Sequence, residues 1–298
     1  MSTAQPYERE IIELEPIETA PSGLSLQRVI VEHPRVIVAA GLLLLLALVA
    51  LLAPWISPQD PITTHPDDAL LGPGRGHLLG TDELGRDLLS RVIWGSRVSL
   101  PVAFVAVAVG LFVGGSMGLT AAYRGGLTDL LLMRVVDAIL AFPALILAVA
   151  IVAALGPGLR NAMIAIGIVQ LPVYARLMRA QILQLKSLDF VTAARALGAS
   201  PLRLIARHFL PNILNPLIVQ ISLSAAFAML QEAILSFLGL GAQPPTPDWG
   251  FMINTGARFL ANDAWLALGP GLAICMAVFG FNWLGDSLRD ALDPRLRA

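Results

Sequence analysis

The segment DFVTAARALGASPLRLIARHFLP, from Asp189 to Pro211, is a polar stretch between two strongly apolar runs. Its composition predicts a helix over residues Phe190 to Leu197. Gly198 is suited to ending that helix, because glycine adopts the left-handed conformation without strain. Ser200 can then cap a second helix that begins at Pro201, where a missing N–H is tolerated. The pattern therefore predicts a helix, a break and a second helix outside the apolar part of the chain.

This segment and the residues just before it are strongly basic. Asp189 is the single acid among them, and we expect Pro211 to end the second helix. The basic residues are Arg176, Arg179, Lys186, Arg195, Arg203 and Arg207. A short basic helix pair with apolar residues on one side is suited to docking on a partner outside the membrane.

The composition of the whole chain is that of a polytopic membrane protein. Of 298 residues, 56% are hydrophobic and 14% are charged, and the mean hydropathy is +0.73, whereas a soluble domain carries about 25% charged residues. A net charge of −1 gives nucleic-acid binding no electrostatic support. The single cysteine, Cys275, excludes an internal disulfide and a cysteine-based metal site, and the four histidines are too dispersed to suggest a metal cluster.

The lysine count argues against ATP chemistry in this chain. A phosphate-binding P-loop requires Gly-Lys-Ser/Thr, but the single lysine, Lys186, follows Leu185. We therefore expect this chain to be non-catalytic and to bind no cofactor. If the protein uses ATP and magnesium, a partner chain hydrolyses the ATP.

Six apolar stretches are long enough to be membrane spans, each of which needs about 20 residues. They are Val36–Trp55, Leu100–Ala122, Leu130–Leu155, Ala162–Leu177, Pro216–Leu238 and Trp265–Leu284. The acidic tail before the first lacks the features of a cleaved signal peptide, so the first span is interpreted as an anchor. With six spans, fourteen of the twenty Lys and Arg residues lie on the side of the termini, which predicts that both termini and the basic segment are cytoplasmic.

The expected architecture is all-α, with five regions along the chain. These are an acidic cytoplasmic tail (1–34), an anchor helix (35–56), an external loop (57–96), a five-helix core (97–287) with a cytoplasmic loop at 180–212, and a cytoplasmic tail (288–298). Within the second span, small residues recur every four positions, which favours close helix packing: Ala106, Gly110, Gly114, Gly118 and Ala122. Prolines within the predicted spans predict kinks or breaks: Pro143, Pro172 and Pro270.

Ionisable residues inside the spans require partners. Arg134 and Asp137 lie three apart on one helix face, so we interpret them as a mutual structural pair. Glu232, next to Gln231, has no evident partner in its own helix. Its carboxylate could line a translocation path, or bond to a neighbouring helix or a second subunit, and both alternatives stay open.

Two external segments have distinct patterns. Residues 81–97 are predicted to form an interfacial helix capped by Thr81, with Leu84 and Leu88 on its apolar side and Arg86 and Arg91 on its polar side. The proline-stiffened segment 241–250 presents Asp248 and Trp249. That segment could contact an external partner or ligand, or simply set the spacing between spans.

The basic cytoplasmic segment resembles the loop shared by permease subunits of bacterial ATP-binding-cassette importers. That pattern is Glu-Ala-Ala, three residues, Gly, nine residues, an aliphatic residue, any residue, then Leu-Pro. Ala193, Ala194, Gly198, Leu210 and Pro211 occupy matching positions. The chain departs from the pattern at two positions, with Thr192 in place of Glu and His208 in place of an aliphatic residue.

The rest of the chain from about residue 34 is similar to the dipeptide/oligopeptide/nickel subfamily of these permeases. The stretches that carry this similarity are HLLGTDELGRDLLSRVIWGSRVSL (77–100), DAILAFPALILA (137–148), LGPGLRNAMIAIGI (155–168), FLGLGAQPPTPDWG (237–250) and GDSLRDALDPRLR (285–297). The resemblance implies the type I importer permease fold in a bacterial inner membrane. It also implies a complex with a second, homologous permease, two cytoplasmic ATPases and an external solute-binding protein.

The resemblance further implies the role of the basic loop, which is to couple the permease to an ATPase. The residues expected to do so are Thr192, Ala193, Ala194, Arg195, Gly198, Ala199, Arg203, Leu210 and Pro211. Peptides are the expected substrates, and nickel chelates or glutathione are the alternatives. A transporter driven by an ion gradient, with Glu232 or the Arg134–Asp137 pair titrating, is the rival hypothesis.

Overall fold

The structure, a computed structural model, describes residues 34–261 and 263–292. Regular secondary structure in this part of the chain is helical, as the sequence predicts. The helices are α1 (Pro34–Ile56), α2 (Leu88–Val109), α3 (Gly115–Arg124), α4 (Gly126–Leu140), α5 (Ala144–Leu155), α6 (Leu159–Lys186), α7 (Asp189–Ala196), α8 (Pro201–Leu204), α9 (Leu210–Phe237), α10 (Trp249–Ala257) and α11 (Trp265–Leu292). The acidic tail lies outside the described residues.

Five helical rods among the described residues are long and apolar enough to cross a membrane: Pro34–Ile56, Leu88–Arg124, Leu159–Lys186, Pro201–Phe237 and Trp265–Ala291. A sixth candidate is the pair α4 and α5, bent by 91°. Each of the six corresponds to one predicted span, so the expected all-α membrane fold is confirmed. The peripheral helix α1 packs against α2 and α11.

The glycine stripe of the second span lies where two backbones meet. A Cβ on Gly114 would overlap the carbonyl of Leu171 in α6, and a Cβ on Gly118 would overlap the carbonyl of Ala175. A wider helical turn, Gly110–Gly114, joins α2 to α3 without ending the rod. Small residues are therefore required here by the close approach of α6, as the pattern predicts.

Of the three prolines predicted to distort spans, Pro143 has the largest effect. It lies between α4 and α5 at the 91° bend, because it lacks an N–H for the helix ladder and disfavours the helical conformation of the residue before it. Pro172 and Pro270 lie inside α6 and α11 and do not interrupt them. Both prolines are buried, and the helices continue past them.

The prediction of an interfacial helix from Thr81 is wrong. The helix begins at Leu88, where Asp87 accepts from the N–H of Ser90, and it continues as the second span. Residues 81–87 instead form a turn that requires Gly85, whose φ is +71° and which lies against the carbonyl of His65. The expected polar side is buried, including Arg86 and Arg91, whereas Leu84 is exposed.

The prediction that Pro211 ends the second cytoplasmic helix is also wrong. A turn with wider hydrogen-bond spacing, Ile205–Phe209, connects α8 to α9, and the rod continues to Phe237. This widened turn makes room for the proline ring, which in a regular helix would clash with the carbonyl four residues earlier. The segment from Asp189 to Pro211 is thus joined directly to a membrane span.

Candidate functional site

The segment from Asp189 to Pro211 is anchored on one side and exposed on the other. Val191, Leu204 and Phe209 are buried, and they fasten α7 and α8 to the ends of the membrane helices. The opposite side carries two apolar side chains with unusual exposure, Leu197 at 89% and Leu202 at 75%. Exposed apolar side chains outside the membrane are typical of a docking surface.

The break between the two helices follows the sequence prediction closely. Gly198 has φ +80°, and a Cβ there would meet no atom within 4 Å, so glycine is required for its backbone conformation and not for space. The N–H of Ala199 donates to the carbonyl of Ala194 across the break. Ser200 caps α8, since its hydroxyl accepts from the N–H of Arg203.

Seven of the nine residues expected to couple to an ATPase lie around this break, between Thr192 and Arg203, and the other two, Leu210 and Pro211, begin α9. Ala194 and Ala199 are half-buried, and the others are exposed: Thr192, Ala193, Arg195, Gly198, Arg203, Leu210 and Pro211. Leu197 and Leu202, which form the tip of the segment, are not among the residues predicted from the sequence. The sequence does indicate an exposed apolar tip, because two leucines flank the break in a stretch predicted to lie outside the membrane.

Two cations in the second half of α6 bind the ends of neighbouring helices. Lys186 Nζ donates to the carbonyl of Ala122 at 2.8 Å, at the end of α3. Arg179 donates to both oxygens of Asp129 in α4, each at 2.6 Å. These contacts connect the helix that leads into α7 with the bent pair.

The predicted Arg134–Asp137 pair is wrong. Asp137 instead accepts from Arg176 Nη2 at 2.8 Å, because the facing helix α6 places a cation closer than the neighbour in its own helix. Arg134 lines a cleft of about 400 Å³ together with Asp129, Asp137 and Arg179. The charges of α4 are therefore shared with α6.

Glu232 and Gln231 are both buried, at 0% and 3% exposure. The Ser236 hydroxyl lies 3.0 Å from Glu232 Oε1 and 3.1 Å from Asp248 Oδ2, so the two carboxyl groups share one hydroxyl. Ser236 lies one turn after Glu232 in α9, so the expectation that Glu232 has no partner in its own helix is wrong. Of the two alternatives for Glu232, contact with a neighbouring element is the one that this geometry favours, because Ser236 links it to Asp248 and its side chain reaches no open surface of the chain.

Asp248 and Trp249 are buried as well, at 0% and 1% exposure. Asp248 caps α10 by accepting from the N–H of Phe251. Trp249 Nε1 donates to the carbonyl of Val92 at 2.8 Å, and its ring lies against Gly95. Their burial contradicts a direct contact of these two side chains with an external partner and favours the alternative, in which the segment sets the spacing.

A buried polar cluster holds the external loop against the start of α2. Asp82 accepts from Arg86 Nε at 2.7 Å and lies 3.4 Å from Arg91 Nε. His77 Nδ1 lies 3.0 Å from Asp87 Oδ1. In the same loop, the N–H groups of Ile62 and Thr63 donate to Asp60 and lower the pKa of its carboxyl group. The cluster fixes the loop from which the second span begins.

Comparisons with known proteins agree with this geometry. Residues 107–298 match the family described as "Binding-protein-dependent transport system inner membrane component", and residues 28–73 match the N-terminal TM domain of oligopeptide transport permease C. The chain is 49% identical over 265 residues to a di/tripeptide transport system permease protein of Pseudomonas aeruginosa, covering 86% of this chain and 88% of the relative.

Two other relatives have similar coverage. A dipeptide transport system permease protein of Alkalihalophilus pseudofirmus is 45% identical over 251 residues, covering 84% of this chain and 83% of the relative. A glutathione transport system permease protein of Pectobacterium atrosepticum is 42% identical over 265 residues, covering 88% of both chains. Among solved structures, an inward-facing MetNI methionine ABC transporter aligns with a TM-score of 0.55 at 19% identity, covering 68% of this chain and 96% of that chain.

Proposed function

Because this chain belongs to the family of binding-protein-dependent transport system inner membrane components, we propose that it is one of two permease subunits of an ATP-driven peptide importer, with α7 docked on a cytoplasmic ATPase. The observation that carries the docking assignment is the exposed apolar tip, Leu197 and Leu202, on a segment otherwise rooted in the bundle. Covering such a tip with a partner cleft stabilises the complex, since burial of apolar surface contributes about 25 cal/mol per Å².

The proposed coupling uses α7 as a rigid lever. ATP binding closes the ATPase pair in a complex of this kind, and a helix seated in a cleft of one ATPase moves with it. That movement reaches the bundle through α6, which runs without interruption from Leu159 to Lys186, and through the rod from Pro201 to Phe237. The permease then alternates between outward-open and inward-open states.

Thr192 occupies the position at which this family usually has glutamate. Its N–H donates to the carbonyl of Leu188, and its side chain is exposed. The coupling contact in this chain therefore depends on the shape of the tip, the neighbouring cations Arg195 and Arg203, and the backbone. A carboxylate at position 192 is not part of it.

Peptides are the substrates that we propose, because two of the relatives above are named as dipeptide or di/tripeptide permeases. Glutathione, itself a small peptide, is the second candidate, because another relative is named for it. In this proposal an external solute-binding protein delivers the substrate, and a second permease completes the path through the bacterial inner membrane. Both termini of this chain lie in the cytoplasm, and the partner ATPases bind the ATP and magnesium.

The experiment that tests this proposal measures ATP-dependent peptide uptake by a variant of the apolar tip. The assembled importer is reconstituted in vesicles with Leu197→Asp, which places a carboxylate at the apolar tip. We expect ATP-dependent peptide uptake to fall at least about tenfold, since a carboxylate buried in an apolar contact is strongly unfavourable. Uptake equal to wild type would overturn the docking assignment.

Ser187→Asp is the matched control. Ser187 is exposed and lies just before α7. The substitution adds the same charge as Leu197→Asp, at a position where a negative charge interacts favourably with the helix dipole. We expect this variant to retain wild-type uptake. A similar loss in both variants would assign the effect to charge alone and not to the tip.

A further inference from the structure

The bend between α4 and α5, residues Leu140–Ala144, is called the elbow below. The two helices that meet at the elbow, α4 and α5, are its arms, and neither arm is long enough to cross a membrane alone. With 15 and 12 residues, the arms are about 22 Å and about 18 Å long, against a hydrocarbon core of about 30 Å. Because the angle between the two helices is 91°, they do not form one straight membrane-spanning helix. The elbow therefore lies at membrane depth.

Contacts with α6 fix this depth from both sides. At one end, Asn161 Nδ2 near the start of α6 donates to the carbonyls of Leu155 and Gly156, at the end of α5. At the other, Asp129 and Asp137 of α4 pair with Arg179 and Arg176, which lie about 27 Å and about 22 Å further along α6 than Asn161. Because α5 is only about 18 Å long, the elbow is within the hydrocarbon region, and α4 runs towards the cytoplasmic side at a shallow angle.

The backbone of the elbow is incompletely hydrogen-bonded. The first bond of α5 runs from the N–H of Leu147 to the carbonyl of Pro143, and the helix start has no side-chain cap. The N–H groups of the first turn are left over, as at any uncapped helix start. Irregular backbone with free polar groups is tolerated at membrane depth only where protein or water covers it, never facing lipid.

The side chains of the elbow are open in this chain. Leu140 and Phe142 are 45% and 57% exposed, and Ala141 and Pro143 are exposed too. About half of the surface of the Leu140 and Phe142 side chains is left uncovered by the described residues, so water or another subunit covers it. Water is the occupant that we favour, because an importer needs a hydrated path at this depth and the elbow supplies both apolar side chains and backbone polar groups.

We propose that the elbow lines the water-filled path through which the peptide passes, with Phe142 as a path-lining side chain. This inference rests on the proposed function and adds to it the part of the chain that meets the substrate. A phenyl ring beside free backbone groups suits a peptide of varied sequence, which presents apolar side chains and a polar main chain. The Asp129–Arg179 pair links this wall to α6, the helix that leads into α7.

The test uses the fact that Cys275 is the only cysteine of the chain. In a Cys275→Ser background, Phe142→Cys and Ala141→Cys are made singly, assembled with the partner subunits and exposed to a charged, lipid-insoluble methanethiosulfonate. Labelling is measured from the intact mass of this chain. Leu44→Cys, on the outer face of α1, is the lipid-facing control, and Leu78→Cys in the external loop is the water-facing control.

We expect both elbow cysteines to be labelled at least about tenfold faster than Leu44→Cys, because the reactive thiolate forms in water and not in hydrocarbon. Prior labelling of the elbow should also block peptide uptake. Elbow labelling as slow as that of Leu44→Cys in both variants, with Leu78→Cys labelled, would overturn the proposal in favour of a dry contact with the second subunit. Unmodified elbow variants that retain ATP-dependent uptake would show that the importer function stands whichever result is obtained.

Discussion

The ion pair between Arg179 and Asp129 offers the sharpest prediction about coupling, because it joins the helix leading into α7 to α4. Its two hydrogen bonds are both 2.6 Å long, and the side chains of Arg179 and Asp129 are 36% and 22% exposed. An exposed ion pair contributes about 0.2 to 1 kcal/mol. The bidentate geometry and partial burial place this one near the upper end, at about 1 kcal/mol. Asp129→Asn removes most of that free energy.

A loss of about 1 kcal/mol changes an equilibrium about fivefold. We therefore expect Asp129→Asn to lower the number of peptides taken up per ATP hydrolysed by up to about fivefold, while the maximal rate of ATP hydrolysis stays near wild type. The assay compares uptake and phosphate release in vesicles that contain the assembled importer. Asp137→Asn is the comparison variant, since its single bond to Arg176 joins side chains that are 58% and 50% exposed, and its effect should be smaller.

A double-mutant cycle tests the reasoning behind this prediction. Arg179→Gln and the double variant with Asp129→Asn are measured beside the single variants, and the interaction between the two sites should account for most of the effect of either one. Effects that add without interaction would refute the role of the pair. So would an Asp129→Asn variant with a wild-type ratio of uptake to ATP hydrolysis.

Three further predictions concern the folded chain and are checked by the thermal stability of the purified complex and its yield. Gly118→Val should destabilise the complex severely, because the new side chain overlaps the carbonyl of Ala175; normal assembly would contradict the close packing of the two spans. Gly198→Ala should destabilise the cytoplasmic segment by about 1 kcal/mol through its positive φ, lowering uptake modestly while the spans stay intact, whereas a gain in stability would contradict the left-handed turn. Trp249→Phe should cost about 1 kcal/mol by removing the hydrogen bond to the carbonyl of Val92, and unchanged stability would show that this bond contributes nothing.

Local chemistry could be predicted from the sequence where a single residue type decides the outcome. Gly198 and Ser200 form the break and the cap that their residue types favour, and Pro143 breaks a span. The glycine stripe that includes Gly118 meets a neighbouring backbone. In each case the conformational or steric limit belongs to the residue itself, so no knowledge of distant parts of the chain was needed.

The other contacts depend on which helices pack against each other. The linear sequence pattern does not encode this. Asp137 was assigned to Arg134, but α6 brings Arg176 to it. Asp248 and Trp249 looked like an exposed, proline-stiffened loop, yet Ser236 and Val92 from two different helices bury them. The charged residues near Thr81 indicated a solvated helix face. In the structure their partners lie in the same folded loop, where the charges neutralise one another.

The central claim is that the tip of α7 meets the ATPase. The most direct measurement attaches a photoactivatable benzophenone to Leu197→Cys, in the Cys275→Ser background, within the assembled complex. We expect an adduct between this chain and the ATPase subunit on illumination, and none when the same probe is attached to Leu78→Cys in the loop before α2. An ATPase present in the complex but never joined to the probe at position 197 would contradict it.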